Sequence, residues 1–284
     1  KGAAINIDKI IPTSEILPAS SYNELHKFGN IINLEKTYIT NNGIGNKLNL
    51  FTLTFKLLRK LKELKIDVIH LTEMLTWNYF PLYLLRNKIV LSVHDPFVHS
   101  CVTSKLYEYR RKLAFVLLKR FVTFNQNQRE EFISHYHLEK KLVFNSALST
   151  YTYLHMYKKN IEKKKQILFF GQITSHKGLD YLLPAMEDVH RQLADTTLVV
   201  AGRGKFHFDI TPYQEKKYID IRNRFIPDEE LAELIQESQI VVCPYIDATQ
   251  SGVIMSAFAF GVPVIATNVG GLPEMVEHLK TGVI

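Results

Sequence analysis

Apolar and polar positions alternate along the carboxy-terminal half of the chain with two different periods. Short, continuous apolar runs rich in β-branched residues predict buried strands, and amphipathic segments of helical period predict helices between them. The strand candidates are residues 166–173, 196–204, 218–226, 240–246 and 262–267. The helix candidates are residues 178–193, 228–239, 251–261 and 272–278. Strands that alternate with helices in this way predict a parallel sheet built from strand–helix–strand units.

The amino-terminal half shows the same rhythm with weaker signals. Strands are expected at residues 4–10, 30–35, 36–40, 67–71, 88–95, 121–125 and 141–145. Helices are expected at residues 47–65, 74–87, 104–121 and 128–137, the second of them broken near Pro81. A basic spacer at 157–165 separates the halves. The pattern predicts an α/β protein of two Rossmann-like domains, residues 1–157 and 158–284, facing one another.

Composition indicates an ordinary globular protein and disfavours a membrane-spanning or disulfide-rich one. The chain has 284 residues, of which 46% are hydrophobic and 22% charged, as in ordinary globular proteins. The sequence shows neither a signal peptide nor an apolar run near the roughly 18 residues of a membrane helix. Its two cysteines, Cys101 and Cys243, lack metal-ligand spacing and are expected to be buried thiols. These features favour a reducing, cytoplasmic location.

Positive charge is concentrated in the first half. Residues 1–150 carry 21 Lys and Arg against 12 Asp and Glu, whereas residues 151–284 carry 14 against 16. The basic residues cluster in two helical segments, 56–65 and 109–120. Such segments are either ordinary helices with a solvated basic face or a surface that rests on anionic lipid headgroups. Nucleic acid is not expected as a partner, because no nucleic-acid-binding motif accompanies the charge.

Four loops follow predicted strands of the second half and carry the candidate chemistry. Lys177 and Gly178 stand at a helix start, AGRGKF at 201–206 places Arg203 beside glycines, and residues 243–253 end in QSGV. The fourth loop is NVGG at 268–271. The carboxyl ends of parallel strands meet at one sheet edge, where α/β proteins bind ligands. A lysine and backbone N–H groups at helix starts suit a phosphate, although a solvated lysine and a structural glycine turn are the alternatives.

Together these segments resemble the donor-binding domain of glycosyltransferase family 4. The resemblance rests on FFGQI, HKG, AGRG, RFIPDEELAELIQESQIVVCPY, QSGV, GVPVIATNVGGLPE and TG, and is strong over 166–284 and weaker over 67–160. It implies the GT-B fold, two Rossmann-like domains with parallel sheets facing across a cleft. It also implies transfer of a sugar from a nucleotide-diphosphate donor with retention of configuration, without metal or other cofactor. Whether either domain is complete here is left open.

The resemblance assigns roles in the donor site residue by residue. Lys177 would contact the diphosphate, Phe225 and Ile226 would hold the nucleobase, and the loop 251–253 would lie beside the diphosphate and sugar. The arginine that often precedes the lysine in the family is Gln172 here, and Arg203 is a candidate to compensate for it. The resulting donor-binding candidates are Gly171, Gln172, Lys177, Arg203, Phe225, Ile226, Thr249, Gln250, Ser251, Gly252, Val253 and Ser256.

This sequence lacks the family's pair of glutamates. Ser256 stands at the second position, where the family holds a ribose hydroxyl, and the first position falls near Ala248 or Thr249. A serine can still hydrogen-bond a ribose, but without the strength of a charged acceptor. The departure leaves the identity of the donor open.

His94 and Asp95 are the catalytic candidates of the first half. They follow the strand 88–95, and His94 matches a family histidine near the donor sugar and acceptor. A neutral imidazole there could orient a hydroxyl or donate to developing charge, whereas a structural histidine is the alternative. Asp95 either orients His94 or caps the turn before Pro96. His99 is a weaker candidate, and the aromatics of 77–80 are assigned to packing rather than to an acceptor groove.

The sequence therefore predicts a retaining, nucleotide-sugar-dependent glycosyltransferase. Its expected acceptor is a glycan, a lipid-linked sugar or a polysaccharide of the cell surface, reached from the cytoplasmic face of the membrane. A nucleotide-sugar-binding module without catalysis and a transferase for small molecules are the alternatives. A dehydrogenase is disfavoured, because AGRGKF is not a GxGxxG motif and lies in mid-domain.

Overall fold

The computed structural model describes residues 16–18, 38–40, 47–72, 77–97 and 105–284. It describes the side chains of residues 54–72, 81–97 and 108–284. The strands predicted at 4–10 and 30–35, together with His99 and Cys101, lie outside the described residues. So do the side chains of Trp77, Tyr79 and Phe80.

The first half contains a two-stranded antiparallel ribbon and a four-stranded parallel sheet. The elements in chain order are β1 (Ile16–Pro18), β2 (Tyr38–Thr40), α1 (Lys47–Glu63), β3 (Ile69–Leu71), β4 (Ile89–Ser92), α2 (Lys105–Leu117), β5 (Arg120–Thr123), α3 (Gln126–Tyr136) and β6 (Val143–Asn145). The ribbon pairs β1 with β2, and the sheet order is β3-β4-β5-β6. Because β4 ends at Ser92, His94 lies just past the carboxyl end of a central strand.

The core of this sheet is built around aromatic rings. Phe115 on α2 packs edge to face against Phe121 on β5 and Phe132 on α3, with ring centroids 5.8 and 4.8 Å apart. Edge-to-face packing is a favoured geometry of aromatic pairs and adds about 1 kcal/mol beyond the burial of area. Helix α3 is capped by Asn125, whose Oδ1 accepts from the backbone N–H of Gln128 at 2.8 Å.

The second half is a larger α/β unit. Its elements are β7 (Gln166–Phe170), α4 (Leu179–Gln192), β8 (Thr197–Gly202), α5 (Thr211–Gln214), β9 (Ile219–Asn223), α6 (Asp228–Glu237), β10 (Ile240–Cys243), α7 (Gly252–Ala259), β11 (Val264–Ala266), α8 (Leu272–Met275) and β12 (Gly282–Val283). Leu179, Leu182, Leu183 and Met186 form the buried stripe of α4 at the spacing of one helix face. The acidic first turn of α6 suits the positive end of the helix dipole.

All strands of the second sheet are parallel, in the order β12-β11-β10-β7-β8-β9. The chain runs outward from β7 to β9 and then returns to the other side of β7 with β10. The strand order therefore reverses between β7 and β10. In open α/β sheets a crevice forms outside the carboxyl ends of the strands at such a point, and ligands bind there.

Two predicted helices differ from expectation. The segment predicted at 74–87 is a 3₁₀ helix, Trp77–Lys88, with Pro81 inside it and non-helical backbone angles at Leu85. Pro81 lacks an N–H for an α-helical bond, which disfavours a regular α-helix here. Helix α8 covers only four residues of the predicted 272–278, with Pro273 in its first turn.

The connection between the halves packs on the second core. A 3₁₀ turn, Thr152–Tyr157, precedes the basic spacer, and its Leu154 is fully buried in that core. The boundary at residues 157 and 158 stays a prediction, because Leu154 precedes it and yet belongs to the later core. In the described part of the chain, no helix combines the length and the apolar character needed to span a bilayer.

Candidate functional site

A pocket of about 660 Å³ lies at the carboxyl edge of the second sheet. Loops that follow β7, β8 and β9 form its walls, so it lies beside the point where the strand order reverses. Its lining residues are Phe170, Gly171, Gln172, Ile173, Thr174, Ala201, Gly202, Arg203, Gly204, Lys205, His207, Arg224, Phe225, Ile226 and Leu231. The pocket thus gathers five of the predicted donor-site residues, Gly171, Gln172, Arg203, Phe225 and Ile226.

Asn223 holds two of these loops together. Its Oδ1 accepts from the backbone N–H of Gly204, and its Nδ2 donates to the carbonyl oxygen of Gly204, both at 3.1 Å. A side chain at Gly204 would collide with Ile173, whose carbonyl oxygen lies 2.0 Å from the position of an added Cβ. Sequence reasoning missed Asn223, because Gly204 is 19 positions away and only the pairing of β8 with β9 brings the two residues together.

The polar rim of the pocket is mainly cationic. Arg203 and Arg224 line the pocket together with Lys205 and His207. Arg224 is held by Glu230, with nitrogen–oxygen distances of 2.6 and 2.8 Å. The hydrogen bond from Arg224, supported by one from Arg222, lowers the pKa of Glu230. Phe225 lines the same pocket and leaves 68% of its surface exposed.

Lys177 lies outside the set of residues that line the pocket, at the end of a 3₁₀ turn, Ser175–Lys177, that follows β7. Its Nζ stands 3.6 Å from the centre of the Tyr245 ring, in cation–π geometry. Desolvation lowers the pKa of Lys177, and the nearby Cys243, Asp95 and Asp247 oppose the shift. A partly desolvated ammonium in this position can give up its weak contact with the aromatic ring and bind an anion instead.

Tyr245 and Cys243 form the buried floor beneath Lys177. Only 1% of Tyr245 is exposed, and its hydroxyl lies 3.4 Å from Ser251 Oγ. Burial raises the pKa of Tyr245 well above its usual value and that of Cys243 to about 11. Both groups are therefore neutral at physiological pH. The predicted burial of Cys243 is confirmed.

His94 and Asp95 of the first half meet the loop before α7. Gln250 Nε2 lies 2.9 Å from His94 Nδ1, and the Thr249 hydroxyl donates to Asp95 Oδ1 in a short hydrogen bond. The His94 ring stacks on Phe124, with centroids 4.9 Å apart and planes 17° from parallel. The structure thus brings both catalytic candidates to two of the predicted donor-loop residues.

Helix α7 begins between the pocket and the region around His94. Ser251 precedes Gly252, its first residue, and the side chain of Val253 lies 3.5 Å from where a Cβ on Gly171 would stand. Tyr151 covers Gly252, since its ring lies 3.0 Å from where a Cβ would stand. The loop 251–253 therefore connects the pocket to the His94 region.

Ser256 is placed away from the pocket lining. It is buried inside α7, and its hydroxyl donates to the carbonyl oxygen of Gly252 at 2.9 Å. Its predicted contact with a ribose hydroxyl stays a prediction, and would require this internal hydrogen bond to be exchanged.

Glu274 makes a second link between the halves. Its carboxylate accepts from the backbone N–H groups of Gln126 and Asn127, at 2.7 and 3.1 Å. These groups open helix α3, where the helix dipole favours negative charge. The sequence places Glu274 within the predicted helix 272–278, and local pattern cannot show that its carboxylate serves another helix. No group of three metal-binding side chains occurs among the residues whose positions are described.

The carboxy-terminal half of the chain and its overall fold are similar to those of known proteins. Residues 164–284 match the family model described as Glycosyl transferases group 1. The putative glycosyltransferase YtcC of Bacillus subtilis is 33% identical over 138 residues, which cover 45% of this chain and 34% of YtcC. An uncharacterized 41.2 kDa protein in the cps region of Klebsiella pneumoniae is 23% identical over 273 residues, 88% of this chain and 73% of that protein.

Among solved structures, Anabaena HepE in complex with UDP and glucose superposes with a TM-score of 0.62. It is 19% identical, and the match covers 86% of this chain and 70% of HepE. This chain spans about a third of the length of YtcC. The two parallel α/β sheets and these structural neighbours show that the chain has the GT-B fold, with a carboxy-terminal part similar to the Glycosyl transferases group 1 family.

Proposed function

We propose that this protein is a retaining glycosyltransferase that moves a sugar from a nucleotide-diphosphate donor to an acceptor hydroxyl. The observation that carries the proposal is the presence, on loops of neighbouring strands, of one pocket, one partly buried lysine and one pair of side chains from the first half. The pocket beside Phe225 and Lys177 near Tyr245 lie at the carboxyl edge of the second sheet, and the loop before α7 joins this edge to His94 of the first half.

The three regions match the three parts of such a donor. The nucleobase would enter the pocket against Phe225 and Ile226, where apolar area and an aromatic face are available. The diphosphate would lie between Lys177 and the first N–H groups of α7, because a cation and a helix start both favour phosphate. The sugar would then face His94 across the cleft.

The chemistry requires stabilisation of a leaving anion more than a strong base. The bond from the anomeric carbon to the phosphate oxygen breaks, and the nucleoside diphosphate leaves with the electron pair. The acceptor oxygen bonds to that carbon on the same face, and its proton passes to the departing phosphate. Lys177 and the amides of α7 supply the positive partners that this charge needs, so we propose a reaction without metal or other cofactor.

We further propose that the acceptor is a glycan, a lipid-linked sugar or a polysaccharide made for the cell surface. The excess of Lys and Arg in residues 1–150 supports peripheral contact with anionic lipid at the cytoplasmic face of the membrane. The similarity to a protein of the Klebsiella cps region supports a role in such synthesis. Loss of vesicle binding at high salt is expected if the contact is electrostatic.

The proposal is tested by thermal shift and slow donor hydrolysis with UDP-, GDP- and ADP-sugars. We expect one donor to stabilise the protein and to be hydrolysed. Lys177→Ala should weaken its binding about 10- to 100-fold, as expected for losing a hydrogen bond to a charged group. Lys163→Ala, an exposed lysine of the spacer, is the matched control and should bind like the parent. If none of these donors binds, the proposed donor site is contradicted.

A second function, donor binding without transfer, is favoured by one observation. Ser256 stands at one position where the family resemblance expects a carboxylate, and the other falls near Ala248 or Thr249. The hydroxyls of Ser256 and Thr249 are both engaged within the protein. Donor binding with neither hydrolysis nor transfer to any acceptor would support this alternative. Transfer to a small molecule but not to glycans or lipid-linked sugars would instead identify a small-molecule transferase.

A further inference from the structure

We propose that Gln250 is a positioning residue that holds neutral His94 in the tautomer with its proton on Nε2. His94 would then face the cleft as a hydrogen-bond donor rather than as a base. The inference deepens the proposed function and rests on it for the role of His94, but the tautomer itself can be measured without any substrate.

The orientation of the Gln250 amide is set by a backbone group. Gln250 Nε2 lies 2.9 Å from His94 Nδ1 and 3.4 Å from the carbonyl oxygen of the same residue. A carbonyl oxygen can only accept a hydrogen bond, so the amide must present its NH₂ group to it. The same NH₂ group then meets Nδ1, which must accept and therefore carries no proton.

The reversed amide would be less favourable. Gln250 Oε1 is buried and has no hydrogen-bond partner among the described residues. Reversal would move the NH₂ group into that place, leaving two donors unsatisfied, and would set Oε1 against the His94 carbonyl oxygen. Each unsatisfied buried polar group is destabilising, so leaving one acceptor unpaired costs less than leaving two donors unpaired.

The surroundings of His94 leave Gln250 as the group that selects the tautomer. Stacking on Phe124 fixes the plane of the ring, while Asp95, the alternative orienting group, accepts from Thr249. Across the described part of the chain, the hydrogen bond to Nδ1 is the one recorded for the His94 ring, and the side chain is exposed. Nε2–H is therefore the group left for a ligand.

In the proposed reaction, His94 would therefore act as a hydrogen-bond donor, and another group would accept the proton of the acceptor hydroxyl. Nε2–H can donate to a sugar hydroxyl or to an oxygen of the departing phosphate, but it cannot take a proton while it carries its own. The acceptor proton must then go elsewhere, in agreement with transfer to the leaving phosphate. Gln250 acts through His94 and contributes no charge of its own.

The test is ¹⁵N NMR of the imidazole nitrogens at a pH above the usual titration range of histidine. The protein has 11 histidines, so the His94 signals are assigned by their absence in His94→Gln. We expect wild-type His94 to show a protonated Nε2 and an unprotonated Nδ1. A wild-type ring with its proton on Nδ1 would overturn the proposal.

Two variants test whether Gln250 sets this state. Gln250→Glu presents an acceptor to Nδ1 and is expected to move the proton there, whereas Gln250→Ala should leave a mixture of tautomers. Gln192→Glu adds the same charge at an exposed position at the end of α4 and should leave the His94 signals unchanged. Wild-type tautomers in both Gln250 variants would show that another group makes the selection and would contradict the proposal.

Kinetics connect the tautomer to the reaction. Gln250→Glu should lower kcat about tenfold with little change in the KM of the donor, corresponding to one hydrogen bond lost from the transition state. The NMR result stands even when no donor is found, so failure of the proposed function and failure of this inference are distinguishable. A reversed tautomer with unchanged kcat would overturn the role of Nε2–H.

Discussion

The two halves of the molecule contribute to the site in different ways. The second half supplies the six-stranded sheet, the pocket and Lys177. The pocket and Lys177 lie on loops that follow strands of this one sheet. The first half supplies a four-stranded sheet of shorter strands and places His94 and Asp95 at its carboxyl edge. The match to a family model covers residues 164–284, which belong to the second half alone.

The difference fits the roles that we propose for the two halves, because these roles would constrain the chain to different degrees. Holding a diphosphate requires backbone to approach closely, and so requires glycines and fixed loops at particular positions. Presenting two side chains at a strand end requires only that the strand be in place. The loops of the second half can accordingly be identified from their sequence motifs. The candidates of the first half can be identified only by their position after a predicted strand.

The largest expected effect is a loss of unfolding free energy on replacing a glycine of the second half, and it is judged against a second glycine with the same backbone angle. Gly178 and Gly261 both have φ of +67°, but a Cβ at Gly178 would lie 1.8 Å from the carbonyl oxygen of Pro244, and at Gly261 it would meet open space. Gly261→Ala should cost roughly 1–2 kcal/mol of unfolding free energy, the strain of a left-handed residue. Gly178→Ala should cost about 2 kcal/mol more, because backbone must move.

Chemical denaturation of the two glycine variants provides the measurement. Equal losses would show that the close approach of the Lys177 turn to the β10 loop is not needed for stability. That result would weaken the contrast between a tightly constrained second half and a less constrained first half.

A smaller effect concerns the link between the halves. Glu274→Ala removes a carboxylate from the start of α3 and should reduce the unfolding free energy by about 1 kcal/mol. Hydrogen exchange at the amides of Gln126 and Asn127 should become faster. Glu277→Ala is the matched control, because Glu277 is exposed and pairs with Lys280 inside the second half. Unchanged exchange at these amides in Glu274→Ala would show that the halves are not joined there.

The smallest effect is a pH dependence of stability in the second half. Desolvation lowers the pKa of Lys177 below 10.5, so the unfolded chain binds a proton there that the folded protein has lost. Between the lowered pKa and 10.5, rising pH should therefore stabilise the wild type relative to Lys177→Met. Below that range the difference in unfolding free energy should be constant. A wild type that loses stability relative to Lys177→Met in this range would show that Lys177 is not desolvated.

Much of the second half could be predicted from its sequence because its signals are local. Continuous apolar runs gave β7, β8 and β10, and glycines marked the loops that form the pocket. The helix expected to break near Pro81 is a 3₁₀ helix, because the missing N–H of proline disfavours a regular α-helix without specifying which conformation replaces it. Ser256 shows a second limit, since a buried hydroxyl can be satisfied inside its own helix.

The sequence by itself determined that the chain forms parallel α/β units and which loops share the carboxyl edge of the second sheet. Strand period and glycine position are properties of neighbouring residues, and they need no knowledge of the rest of the molecule. Only the tertiary structure decided that Gln250 meets His94, that Glu274 caps a helix of the other half, and that Asn223 locks Gly204. These contacts join residues that are 156, 148 and 19 positions apart, so they depend on how sheets and halves pack, which local patterns do not encode.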